Sequence, residues 1–141
     1  MRQEQAPPVV AKVKLTLYAG ERFFGPGICE LLERIRESGS IQAAAAQMNM
    51  SYTKAWRILN RAEGEMGVCL ITRVSGGRRG GSSTLTAAGE EAVAAFREME
   101  AKLAGLAGDL LAARRDAFRP QAPADGPDGE ACGARAAGEM R

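Results

Sequence analysis

The segment RVSGGRRGGSSTLT, residues 73–86, contains the most distinctive chemistry of the sequence. Two pairs of glycines flank Arg78 and Arg79. Two permanent positive charges therefore lie in a segment whose glycines can adopt many backbone conformations. Such a segment could cradle a nucleotide phosphate, form a plain flexible loop, or grip a polyanion. The phosphate-loop pattern G-x-x-x-x-G-K-[ST] is nearly met, but Ser82 takes the place of the lysine. Nucleotide binding is therefore disfavoured, and the neighbouring elements must decide between the other two interpretations.

The composition excludes several kinds of chemistry. The chain of 141 residues has no histidine, which removes the commonest general base and the commonest metal ligand. Cys29, Cys69 and Cys132 are far apart and lack the spacing of a metal site, so we interpret them as buried or free thiols. No nucleophile is paired with a base. We therefore expect no enzymatic activity, no cofactor and no metal.

Positive charge is concentrated in the middle of the chain. The net charge is +2, but residues 51–79 carry six basic residues against two acidic ones. No apolar run approaches the ~20 residues that span a bilayer, and the N-terminus lacks the apolar core of a signal peptide. The sequence thus predicts a soluble cytoplasmic protein, without a membrane partner, whose central part binds a polyanion.

Periodicity predicts the elements that position this basic region. Residues 11–20 alternate between apolar and polar side chains, which indicates a half-buried strand. The next segment, FFGPGICELLERIRESG, has one apolar stripe at helical spacing, and its last residue, Gly39, suits a left-handed helix end. Ser40 would cap a short alanine-rich helix, and after a tight turn Ser51 would cap a third helix over residues 52–66.

The third helix has two different faces. Its buried stripe is predicted to contain Ala55, Ile58, Leu59, Ala62 and Met66. Its opposite face carries Thr53, Lys54, Arg57, Asn60 and Arg61. Tyr52 and Trp56 lie on one flank, where we expect Trp56 to pack rather than to take part in chemistry. The exposed face is therefore polar and positively charged.

The remaining elements are a hairpin and a long helix. Residues 68–73 and 82–86 read as two strands, and the glycine-arginine segment joins them as a β-hairpin. Thr86 would then cap a long final helix whose apolar side chains follow the spacing of a coiled-coil seam. These side chains belong to Phe96, Met99, Leu103, Leu106 and Leu110. They could pack within their own domain or pair with a second subunit, and we predict dimerisation through this helix.

Together these elements predict a winged helix-turn-helix, a mainly α fold with a small β-hairpin wing and a long C-terminal helix. The helix over residues 52–66 would enter the major groove, and the wing over residues 74–83 would lie in the adjacent minor groove. Lys54 and Arg57 could read base edges, while other basic side chains hold phosphates or meet the potential of the minor groove. The candidate DNA-binding residues are Ser51, Tyr52, Thr53, Lys54, Arg57, Arg61, Arg73, Arg78 and Arg79.

Four motifs carry a resemblance to a known family. They are GSIQAAA at residues 39–45, MSYTKAW at 50–56, the wing GGRRGGSS, and LTAAG at 85–89. With them, the chain resembles the N-terminal DNA-binding domain of the molybdate-responsive ModE regulators, which is similar to the winged helix-turn-helix of LysR-type regulators. The resemblance covers about residues 12–115. It implies a dimer on a partly palindromic DNA site, contacted by the third helix and the wing.

The sequence departs from that family at its C-terminal end. Full-length family members continue into paired oxyanion-binding domains, whereas residues 117–141 are rich in proline, glycine and alanine and are expected to be disordered. We therefore expect a disordered lead-in at 1–11 and a standalone DNA-binding domain, with its dimerisation helix, at 12–116. The predicted function is a sequence-specific, homodimeric transcriptional regulator of double-stranded DNA. The alternatives are an architectural or protein-interaction module, and a regulator that responds to molybdate or tungstate.

Overall fold

The computed structural model describes residues 7–74 and 81–119. Predictions that concern residues 1–6, the tip of the wing with Arg78 and Arg79, and the tail from residue 120 lie outside the described residues. The elements, in chain order, are β1 (Leu17–Ala19), β2 (Glu21–Phe24), α1 (Pro26–Ser38), α2 (Ile41–Gln47), α3 (Tyr52–Met66), β3 (Ile71–Val74), β4 (Ser82–Leu85), α4 (Ala87–Ala113) and a short 3-10 helix (Arg115–Phe118). This order is that of a winged helix-turn-helix preceded by a second hairpin.

The helices begin and end where their capping residues predict. The side chains of Ser40, Ser51 and Thr86 each accept a backbone N–H from the first turn of the helix that follows. Gly39 and Gly67 end α1 and α3 in the left-handed conformation, with φ of 72° and 68°. Each N-cap contributes about 1 kcal/mol, which explains why the predicted helix boundaries agree so closely with the structure.

The N-terminal strand prediction is only partly confirmed. Instead of one strand over residues 11–20, the structure has an antiparallel hairpin in which β1 and β2 pair. Leu15 and Leu17 pack against the core as the alternation predicts, but Val13 is exposed. The second strand was missed because its sequence, ERFF, places two charged residues before two aromatic ones and does not alternate.

The core lies where the three short helices meet the first turns of α4. Its buried side chains come mainly from α1, namely Ile28, Cys29, Leu31, Leu32 and Ile35. Of the stripe predicted on α3, Ala55, Leu59 and Ala62 are buried, while Ile58 and Met66 are partly buried and pack against the core. The rings of Phe24 and Phe96, 5.2 Å apart between centroids, join the first hairpin to α4.

The wing is anchored on the helices at its base. β3 pairs antiparallel with β4, and the backbone N–H of Ser83 donates to the carbonyl of Gly39 at 2.8 Å. The start of α4 lies so close to the chain before β3 that a Cβ on Gly89 would meet the carbonyl oxygen of Leu70 at 2.3 Å. The wing therefore leaves the domain in a direction fixed by α1 and α4.

Polar contacts hold α4 along α1. The guanidinium of Arg97 bonds the carboxylates of Glu33 and Glu100, and these hydrogen bonds raise the pKa of Arg97 above its ordinary value. Arg36 bonds Glu90 at 2.8 Å nearer the N-terminus of α4. Within residues 7–74 and 81–119, no helix combines the length and hydrophobicity that a membrane-spanning segment requires.

Candidate nucleic-acid interface

The helix-turn-helix unit consists of α2, a tight turn and α3. In the turn, Asn49 takes φ of 55°, a left-handed conformation that asparagine tolerates better than most residues. The backbone N–H of Met50 donates to the carbonyl of Ala45 at 3.0 Å and closes the turn. The buried faces of α2 and α3 consist largely of alanine, as at Ala44 and Ala55, so the two helices can approach closely. This packing fixes the direction in which α3 projects.

The outward face of α3 presents free positive charge. Thr53, Lys54 and Arg57 are all exposed near the start of the helix, as the sequence predicts. Among the residues that the structure describes, neither Lys54 nor Arg57 takes part in a salt bridge. Their donors are therefore available to an external partner, and their position on one helix face suits insertion into a DNA groove.

Two other residues at the start of α3 have structural partners. The hydroxyl of Ser51 accepts the N–H of Lys54 at 3.1 Å, so this side chain is engaged as the helix cap. The ring of Tyr52 is about half exposed and meets the ring of Trp56 edge to face, with 6.1 Å between the centroids. Tyr52 thus borders the charged face and stays about half exposed.

Arg73 connects the wing to α3 through an aromatic ring. Its guanidinium carbon lies 3.2 Å from the centroid of the Trp56 ring, which is a close cation–π contact. The sequence predicted packing for Trp56 and, for Arg73, a contact with either a phosphate or a nearby acidic group. It gave no signal that the two side chains meet. The stacked guanidinium joins the wing to α3, and among the described residues it takes part in no salt bridge.

Arg61 lies one turn beyond Arg57 and points toward the first hairpin. It forms a salt bridge of 3.1 Å with Glu21 on β2, and both side chains are more than half exposed. An exposed pair of this kind contributes at most about 1 kcal/mol, so it can be exchanged for another anion. The predicted phosphate contact of Arg61 therefore competes with an ion pair that the sequence did not reveal.

The predicted dimerisation seam divides into two parts. Phe96 is only 2% exposed and belongs to the core of its own domain, so it offers little surface to a second subunit. Met99, Leu106 and Leu110 are 43%, 55% and 61% exposed, and Leu103 is partly buried. Among the described residues, the outer half of α4 thus carries an apolar stripe that stays largely exposed.

The structure offers little chemistry of other kinds. Burial raises the pKa of the Cys29 thiol to about 11, so this cysteine stays protonated and unreactive at neutral pH. In the described part of the chain, no three residues among the cysteines, aspartates and glutamates gather as they would around a metal ion. The charged face of α3 with Arg73 beside it is therefore the best-formed candidate site.

Part of the chain is similar to known regulatory proteins. Residues 29–90 match the family described as bacterial regulatory helix-turn-helix protein, lysR family. The chain is 37% identical over 90 residues to the molybdenum transport protein ModE of Herbaspirillum seropedicae, an alignment that covers 64% of this chain and 32% of the relative. It is 31% identical over 102 residues to the DNA-binding transcriptional dual regulator ModE of Escherichia coli K12, covering 72% and 38% of the two chains.

Two further similarities concern a second relative and a solved structure. The molybdenum-pterin-binding protein MopB of Rhodobacter capsulatus is 38% identical over 76 residues, which cover 54% of this chain and 28% of MopB. A crystal structure of the CbnR DNA-binding domain in complex with DNA is 30% identical, with a TM-score of 0.48 over 66% of this chain and 97% of that one. The chain spans about a third of the length of the curated relatives.

Proposed function

Because residues 29–90 carry a LysR-family helix-turn-helix, we propose that this protein is a sequence-specific DNA-binding transcriptional regulator. The observation that carries the proposal is the outward face of α3, where Lys54 and Arg57 are exposed and unpaired among the described residues. A core-packed helix that presents free cations from a fixed direction is suited to enter the major groove of DNA.

The candidate side chains would make two kinds of contact with DNA, to base edges and to phosphates. Arg57 can donate two parallel hydrogen bonds to a guanine edge, and each good bidentate contact discriminates bases by about 1–3 kcal/mol. Thr53 and Lys54 lie on the same face and can meet base edges or phosphates. Arg73, held on the Trp56 ring, is placed to donate to a phosphate between the major-groove helix and the wing. Phosphate contacts would set the register in which Arg57 reads the sequence.

A dimer is part of the proposal. The exposed apolar stripe of α4, with Met99, Leu106 and Leu110, is the surface through which two copies would pair. A two-fold axis along that helix pair would place two copies of α3 in successive major grooves, about 34 Å apart. The DNA site would then be partly palindromic, because each copy reads one half of it.

The test is selection of bound duplexes from a randomised pool at near-physiological salt, with the full chain. Enrichment of a two-fold symmetric motif is the expected result. Binding without enrichment would contradict sequence reading and favour an architectural module, since attraction to phosphates alone is not selective. Absence of binding would contradict the proposal and favour protein interaction. Repeating the selection with molybdate or tungstate tests the oxyanion alternative, which unchanged enrichment would contradict.

A further inference from the structure

A basic cleft lies beside α3, at its border with the β1–β2 hairpin. The cleft has a volume of about 330 Å³ and lies between the β1–β2 hairpin, the first turn of α1 and the middle of α3. Lys14, Arg22 and Arg61 line it, above an apolar floor that includes Phe23 and Ile58. Two of the three cations come from the segment before residue 29, outside the part of the chain that matches the LysR-family helix-turn-helix.

We propose that this cleft receives a backbone phosphate of DNA that flanks the bases read by α3. The inference rests on the proposed function, because it places the phosphate beside a helix that enters the major groove. It assigns the hairpin a role as a second arm of the DNA interface, on the opposite side of α3 from the stacked Arg73.

The charge of the cleft favours an anion. Among the residues that the structure describes, three cations line it and no acidic residue does. Lys14 and Arg22 are exposed, and within the described ranges neither is engaged in a salt bridge. Like charges that share a cleft repel each other, and an anion placed among them converts this repulsion into attraction. Glu21 lies outside the lining and holds Arg61 through an exposed pair that a phosphate can replace.

The position of the cleft favours DNA as the source of that phosphate. Arg61 follows Arg57 by one helical turn on the same face, which places neighbouring side chains about 5–6 Å apart. The major groove is about 12 Å wide, so the phosphates that border it lie within reach of cations one turn away from a base-reading residue. The cleft is thus continuous with the face of α3 proposed to read bases.

The salt dependence of binding tests this inference. The hairpin variant carries Lys14→Ala and Arg22→Ala, and it is compared with the wild-type chain. The control variant carries Lys102→Ala and Arg115→Ala, so it removes one exposed lysine and one exposed arginine from α4 and the segment after it. Affinity for the enriched duplex is measured from low to moderate salt. We expect the hairpin variant to bind more weakly and to lose about one unit of the slope of log K against log salt. The enriched sequence should not change.

The outcomes separate this inference from the proposed function. If wild-type protein binds the enriched duplex and the hairpin variant keeps both its affinity and its slope, the cleft does not hold a phosphate and only this inference fails. If wild-type protein binds no duplex, both fail. Circular dichroism and thermal unfolding of each variant show whether a loss of binding comes from unfolding. If the hairpin variant is unfolded, the Arg22→Gln variant is tested instead.

Two further measurements vary the length of the duplex and the charge at Glu21. When the duplex is trimmed to the enriched motif, the flanking phosphate is lost, and wild-type and hairpin variants should bind equally. The variant Glu21→Gln releases Arg61 and removes a negative charge from the rim, so it should bind the long duplex more tightly than wild type. Equal sensitivity of the hairpin variant on long and trimmed duplexes would overturn the flanking position.

Discussion

Substitution of Arg57 distinguishes sequence-specific binding from general electrostatic attraction to DNA. It is exposed on the outward face of α3, so its removal leaves the core intact. We expect Arg57→Ala to weaken binding to the selected site by about 1–3 kcal/mol and to weaken binding to random duplex much less. Arg115→Ala is the matched control, because it removes the same charge from the short helix after α4. Equal losses on selected and random DNA would show that Arg57 contacts phosphates only.

Trp56 provides a direct optical test of its contact with Arg73. It is the single tryptophan of the chain, so the intrinsic emission excited at long wavelength comes from this ring alone. Arg73 covers one face of the ring, and its removal by Arg73→Ala should expose that face to water and shift the emission to longer wavelength. Arg115→Ala should leave the emission unchanged. An identical spectrum for both variants would contradict the stacked arrangement in solution.

Binding to DNA should distinguish a positioning role of Trp56 from simple packing. The planar guanidinium of Arg73 stacks on the ring, whereas a lysine keeps the charge but cannot stack in the same way. We expect Arg73→Lys to recover only part of the affinity lost in Arg73→Ala. In the variant Trp56→Leu, the same exchange of arginine for lysine should cost little, because the surface that orients the guanidinium is gone. Equal losses in both backgrounds would show that the ring does not position Arg73.

At the scale of elements, the close packing of α4 against the segment before the wing depends on the absence of a side chain at Gly89. A Cβ on Gly89 would overlap the carbonyl oxygen of Leu70, while a Cβ on Gly105, later in the same helix, would meet open space. We expect Gly89→Ala to lower the free energy of unfolding by about 1–3 kcal/mol through overpacking. Gly105→Ala should instead be neutral or stabilising by up to about 1 kcal/mol, through helix propensity. Denaturant unfolding of the two variants checks this, and a shared sign would contradict the close approach.

Local sequence patterns predict the helices and strands, but they do not predict contacts between residues that are far apart in the chain. Ser40, Ser51 and Thr86 each satisfy an N–H within three residues of themselves, so the helix starts were readable from the sequence. The contact of Arg61 with Glu21 joins residues whose proximity depends on how the hairpin packs on α3. A sequence pattern with a period of two or of 3.6 carries no information about such contacts. The candidate DNA face was therefore predictable, whereas the partners that hold Arg61 and Arg73 were not.

At the scale of the whole molecule, the outer half of α4 determines the expected assembly. Leu106 and Leu110 are more than half exposed on one face of a helix of 27 residues, and burying them against a second copy would remove this apolar area from water. We expect the double variant Leu106→Glu with Leu110→Glu to sediment as a monomer when the wild-type chain sediments as a dimer. It should also lose affinity for a two-fold DNA site while retaining weak binding to a half-site. Ala101→Glu adds a charge to the opposite face of the same helix and should stay dimeric. A double variant that keeps the dimer mass would move the interface away from this stripe, and the spacing between the two copies of α3 would then have to be set by another surface.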